Sequence, residues 1–127
     1  MFQLQGLDHV AIAVRDVERS AAWYQDVLGL ERRHEAAWGN SPAMVGAGTT
    51  AIALFAVEGS DPNPRPGRDT LTMRHFAFRV DRANFAAARV ELSRRGIHFT
   101  TEHHGIAESI YFNDPDGHEL EITTYEV

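Results

Sequence analysis

Residues Leu7 to Val14 alternate in character: His9, Ala11 and Ala13 fall on one side, and Val10, Ile12 and Val14 on the other. That is the period-two pattern of a strand with one face turned to a core. The pattern returns over Met73 to Val80, where His75, Ala77 and Arg79 oppose Phe76, Phe78 and Val80, and the register sets His9 over His75. A match of this kind marks an internal repeat. After each strand an aspartate suited to N-capping precedes helical spacing. Asp16 leads into Val17, Ala21, Tyr24 and Leu28 with Gly29 as the stop; Asp81 leads into Phe85, Ala88 and Leu92 with Gly96 in the same role. Each helix thus carries one apolar stripe to lay on a sheet.

Three further strands are expected per half. They are Glu31 to Trp38, Ala43 to Val45 and Thr50 to Val57 in the first, and Ile97 to Glu102, Ser109 to Asn113 and His118 to Tyr125 in the second. The turn Asp114-Pro115-Asp116-Gly117 makes the last two a hairpin, because Pro suits the second turn position and Gly supplies positive φ. Between the halves, residues 58–72 hold Pro62, Pro64 and Pro66 with Gly59 and Gly67, and read as a semi-extended connector. The expected organisation is one domain over 1–127, with a βαβββ module at about 5–57 and another at about 73–127.

Composition narrows the function. The chain has 127 residues, 43% of them hydrophobic, and a formal net charge of −6. An acidic balance argues against a nucleic-acid backbone or an anionic membrane surface as partner. With no cysteine, disulfides, thiolate metal sites and a cysteine nucleophile are excluded. Any metal must be held by histidine and carboxylate. No stretch reaches the roughly 18 apolar residues of a membrane span, and the N-terminus has no basic region followed by an apolar run, so a cytoplasmic location is expected. Gly-rich phosphate loops and a Gly-x-Ser-x-Gly elbow are also missing.

Candidate chemistry lies on the strand faces opposite the core. Along His118 to Tyr125, Leu120 and Ile122 face one way while Glu119, Glu121 and Thr123 face the other. If that face also bears His9 and His75, two imidazoles and one carboxylate gather, a set that binds divalent ions and leaves positions open for substrate. Spacing alone leaves open that these are hydrogen-bonded strand histidines and solvated carboxylates.

Two βαβββ halves, the opening Leu7-Asp8-His9-Val10-Ala11-Ile12-Ala13-Val14 with Trp23-Tyr24 and Leu28-Gly29-Leu30, and the closing Asn113-Asp114-Pro115-Asp116-Gly117-His118-Glu119-Leu120-Glu121 resemble the vicinal oxygen chelate superfamily. This group comprises glyoxalase I, extradiol dioxygenases, fosfomycin-resistance enzymes and bleomycin-resistance proteins. The resemblance implies an α+β fold: two tandem βαβββ modules forming a curved, incompletely closed eight-stranded mixed sheet with helices outside, commonly as a homodimer. It also implies a metal site whose ligands match His9, His75 and Glu121, the last because the family's carboxylate falls four residues after the turn glycine. The ion is one of Fe2+, Mn2+, Ni2+, Co2+ or Zn2+, all of which suit imidazole and carboxylate.

Departures from the family pattern shape the expected reaction. Glyoxalase-type isomerases carry a glutamate base on the last strand of the first half, where this chain has Ala51-Ile52-Ala53-Leu54-Phe55. Ala11 stands where fosfomycin transferases have threonine. Extradiol enzymes add a histidine and a tyrosine beside the metal; His103, His104 and Tyr111 are candidates by type, and His103 and Tyr111 are taken as the catalytic pair. The expected function is a divalent-metal-dependent enzyme of the glyoxalase or dioxygenase type acting on a small oxygen-bearing molecule. The alternative is a metal-free binding protein similar to bleomycin-resistance proteins.

Overall fold

The computed structural model describes residues 1–127, and the chain divides into two units, Met1–Asn63 and Pro64–Val127. The fold is α+β, two tandem βαβββ modules, and the eight strands lie four and four in two open mixed sheets.

In the first module the elements are β1 (His9–Val14), α1 (Val17–Leu28), β2 (Glu31–Arg33), a helical turn α2 (Glu35–Trp38), β3 (Ala43–Ala47) and β4 (Thr50–Ala56). The sheet order is β1-β4-β3-β2, with β1 parallel to β4 and the other pairs antiparallel. The alternation works as read: Ile12 and Val14 are buried while His9, Ala11 and Ala13 are exposed. Asp16 caps α1 by accepting from the backbone of Arg19 at 3.0 Å, a contact that contributes about 1 kcal/mol. Gly29 ends the helix at φ 67°, a left-handed conformation that costs a side-chain-bearing residue more than glycine. Val17, Ala21 and Tyr24 turn inward, and Tyr24, Leu54, Val14 and Val45 form the heart of this core.

The strand expected over Glu31 to Trp38 stops at Arg33. His34 takes φ 58°, and Glu35-Ala36-Ala37-Trp38, rich in helix formers, closes a helical turn instead. The ladder to β3 has run out there, because Arg33 already faces Met44 near the start of that strand.

The second module repeats the plan with β5 (Phe76–Arg79), α3 (Arg82–Arg94), β6 (Thr100–His103), β7 (Glu108–Asn113) and β8 (Glu119–Thr124), ordered β5-β8-β7-β6. Asp81 caps α3 through Asn84, and Gly96 follows the helix at φ 71°. The hairpin turn is built by Asp114, whose Oδ1 accepts from the backbone of Asp116 and of His118, each at 2.9 Å.

Two expectations change. The face of β8 opposite Leu120 and Ile122 is covered as well: Glu121 and Thr123 are each 8% exposed. The connector is not semi-extended throughout. Arg65 Nη2 donates to the carbonyls of Met73 at 3.0 Å and Arg74 at 2.8 Å, and the Thr70 amide donates to the Gly67 carbonyl. Residues 64–72 therefore fold back as a loop of the second module. The same arginine competes with a start of β5 at Met73: β5 pairs only with β8, and of the two consecutive carbonyls Arg65 takes, one is the acceptor a longer ladder would use.

Candidate functional site

In the second module three strands converge on one carboxylate. Parallel pairing sets Ala77 of β5 against Glu121 of β8, and antiparallel pairing sets Tyr111 of β7 against the same residue. The alanine is the small neighbour that leaves space beside a histidine. His75 sits just before β5 and uses that space: its Nε2 lies 2.9 Å from Glu121 Oε1 and its Nδ1 is 3.4 Å from Glu119 Oε1. That Nδ1 is buried and makes no hydrogen bond. Buried polar atoms nearly always have a partner, so a water, an ion or a ligand group belongs beside this one.

Glu121 is held from behind. The Ser109 hydroxyl donates to its Oε2 at 2.6 Å, and Thr123 Oγ1 lies 2.9 Å from the same serine oxygen. One carboxylate oxygen is thereby fixed in the sheet and the other presented to His75. The Tyr111 ring meets the His75 ring edge-on at 5.5 Å, and its phenolic oxygen lies 3.0 Å from Nε2 of His104. Burial, followed by the negative charges of Glu121 and Glu102, pushes the Tyr111 hydroxyl above its ordinary value. It stays a neutral hydrogen-bond donor across the physiological range.

Beside these groups opens a cavity of about 200 Å³ lined by Arg68, Arg74, His75, Glu102, Tyr111 and Glu119, among others. A second cavity, of about 570 Å³, shares Arg68, Arg74 and Glu119 and runs under the 65–72 loop.

Of the residues singled out in the sequence, His75, Glu121 and Tyr111 are brought together. His9 lies in the first module at the start of β1, half-exposed, with its Nδ1 2.8 Å from Asp8 Oδ2. No three His, Asp or Glu side chains are grouped so that they could hold a metal ion. His103 lies away from the cavity. Its Nδ1 is 3.9 Å from Glu108 Oε2, an oxygen that already accepts from Arg82 Nη1 at 3.0 Å; that guanidinium holds the Glu108 carboxyl below the usual range. His104 is the histidine that reaches Tyr111. His104 follows Thr100 and Glu102 at a spacing of two, and those two residues line the cavity. Ser109 and the two loop arginines carried no such signal, because nothing local marks a serine as a carboxylate anchor.

The imidazole and carboxylate donors of His75 and Glu121 are of the types a divalent ion takes. The Asp8–His9 contact is of a kind that serves such an ion, since a carboxylate on one ring nitrogen orients the other for coordination.

Comparison with known proteins places the chain. The sequence model described as "Glyoxalase/Bleomycin resistance protein/Dioxygenase superfamily" matches residues 6–122. "Glutathione transferase FosA" of Serratia marcescens is 31% identical over 119 residues, covering 94% of this chain and 80% of that protein. "Catechol-2,3-dioxygenase" of Bacillus subtilis is 26% identical over 117 residues, 91% of this chain and 40% of the larger relative. Among solved structures, a glyoxalase/dioxygenase from Nostoc punctiforme superimposes with a TM-score of 0.75 at 26% identity, covering 94% of this chain and 90% of that one. With a family match spanning nearly its whole length, the chain belongs to the glyoxalase/bleomycin resistance protein/dioxygenase superfamily.

Proposed function

We propose that this protein is a divalent-metal-dependent enzyme of the glyoxalase or dioxygenase type, acting on a small oxygen-bearing molecule, with His9, His75 and Glu121 as the metal ligands. The observation that carries the reading is His75 at the wall of a cavity, its Nε2 2.9 Å from Glu121 Oε1 and its buried Nδ1 without a hydrogen bond. Relatives named metallothiol transferase and catechol dioxygenase support it at the level of the family. When bound, the ion supplies Lewis acidity toward a substrate oxygen.

The chain's own groups set up proton handling around that point. Ser109 fixes Glu121, so its free oxygen keeps one direction. Tyr111, held neutral, donates toward a substrate oxygen as negative charge builds on it. His104 stands 3.0 Å behind the phenol on the solvent side and carries the proton to or from water. His104 thus takes the role given to His103 by residue type alone. The first-module strand offers no carboxylate base, since β4 reads Thr50-Ala51-Ile52-Ala53-Leu54-Phe55-Ala56. Proton abstraction of the glyoxalase I kind is therefore not the reaction assigned.

The test is elemental analysis of protein purified without a tag or chelator, wild type beside His9→Ala, His75→Ala and Glu121→Ala. Near-stoichiometric metal in the wild type, lost in all three variants, is expected. A wild type that takes up none of Fe2+, Mn2+, Ni2+, Co2+ or Zn2+ refutes the reading and leaves metal-free binding as the function.

A further inference from the structure

We propose that the pocket of the second module selects a small molecule bearing an anionic oxygen group, a carboxylate or a phosphoryl, and that Arg68 and Arg74 hold it. Both arginines line both cavities. Their guanidinium groups make no hydrogen bond or ion pair within the protein, whereas five of the module's six other arginines are engaged, Arg89 on α3 being the exception. Arg65 binds backbone carbonyls, Arg82 binds Glu108, Arg94 and Arg95 bind Glu91, and Arg79 lies over the Tyr125 ring. The pocket's acids do not answer the two free charges. Glu119 faces His75 at 3.4 Å, and Glu102 lies 3.9 Å from His104.

A protein of net charge −6 repels anions at long range, so two unpaired cations facing one cavity reverse the local preference. The guanidinium fork matches carboxylate and phosphoryl oxygens with two parallel hydrogen bonds, a geometry no lysine reproduces. The loop that carries the pair is stapled rather than loose. Arg65 ties it back to the carbonyls of Met73 and Arg74, which sets the Arg74 backbone one residue from His75. An oxyanion bound there is delivered beside the His75, Glu121 and Tyr111 group, and Arg65 acts as a positioning residue.

This inference rests on the proposed active site for its meaning as substrate selection, but anion binding is measured without turnover. The experiment is calorimetric titration of the full chain at low ionic strength with inorganic phosphate, succinate and the neutral dimethyl succinate. Wild type is set beside Arg68→Gln, Arg74→Gln, the double variant and Arg74→Lys, with metal content measured on each preparation. Phosphate or succinate should bind and the neutral diester should not. Each single Gln variant should weaken binding by about tenfold, the value of one charge-assisted pair, and the double variant should abolish it with metal content unchanged. Arg74→Lys should recover only part of the loss. The stronger of the two anions identifies the group as phosphoryl or carboxylate. Equal affinity in wild type and double variant, equal binding of the diester, or no binding of either anion overturns the inference. A wild type without metal whose anion binding still depends on Arg68 and Arg74 refutes the metal reading alone.

Discussion

Replacing Ser109 by alanine tests whether Glu121 is held from behind. Ser109 is fully buried, and its hydroxyl gives Glu121 Oε2 a 2.6 Å hydrogen bond in a pocket where the carboxylate side chain is only 11% exposed. Hydrogen bonds to a charged acceptor contribute about 1.5–3 kcal/mol, and a buried acceptor left unpaired costs a similar amount. Ser109→Ala should therefore destabilise by about 2 kcal/mol. For a 127-residue chain, an unfolding entropy of about 2.1 cal/mol/K per residue converts this to a fall in Tm of about 7 °C. The assay is urea unfolding of Ser109→Ala, Glu121→Ala and the double variant. If the serine serves the carboxylate, its removal in the Glu121→Ala background should cost about 0.5 kcal/mol or less, giving a coupling above 1 kcal/mol. Equal cost in both backgrounds refutes the reasoning and assigns the serine to its contact with Thr123.

Other consequences follow from single contacts. A Cβ built on Gly46 would lie 2.7 Å from the Thr50 carbonyl oxygen and 2.7 Å from Arg33 Nη1; since the backbone cannot yield cheaply, Gly46→Ala should cost about 1–3 kcal/mol in urea unfolding. Asp114→Ala removes the acceptor for two backbone amides and should lower stability by about 1–3 kcal/mol with the β7–β8 hairpin exchanging amide hydrogens faster. Arg94, then Arg95, hold the Glu91 carboxyl down at about 2. A depressed carboxyl stabilises the fold above its unfolded value of 4.5 and loses that contribution as pH falls toward 2. Glu91→Gln should thus lower Tm at pH 7 and match the wild type below pH 2, with the difference shrinking in high salt.

Much of the fold was legible because local signals agreed. Alternation gave β1 and β5, aspartate caps and terminal glycines bounded α1 and α3, and Asp114-Pro115-Asp116-Gly117 fixed the final hairpin. Structure departs from local pattern where a distant group competes for the backbone. Arg65 captures the carbonyls of Met73 and Arg74, shortening β5 and folding the expected connector, and nothing near either end of that contact announces it. Within the site, His75 and Glu121 could be paired through the repeat and the turn glycine. His104 instead of His103 depends on which side of β6 faces the cavity, and that is fixed by register with β7: Glu102 against Ser109 and His103 against Glu108. Register is set by cross-strand partners, so a strand too short and polar to show alternation does not reveal it.

The duplication makes one comparison possible that neither half offers alone. In the first module the row across three strands is Ala11, Ala53 and Met44; at the same places in the second it is Ala77, Glu121 and Tyr111. Topology and pairing are the same, and the leading histidine is kept in both, but one row can neither bind a cation through oxygen nor move a proton, while the other can do both. Ala53 is 1% exposed and Met44 5%, so these two places of the first row are ordinary core. Glu121, at 8% exposure, is held by Ser109 and His75, partners that burying a carboxylate requires. A carboxylate placed at Ala53 would lack them, because Met44 offers no hydrogen-bond donor. The two modules are thus alike as scaffolds and unlike as chemistry. What separates them is a few side chains on one sheet face, so the fold follows the family while the chemistry follows those particular side chains.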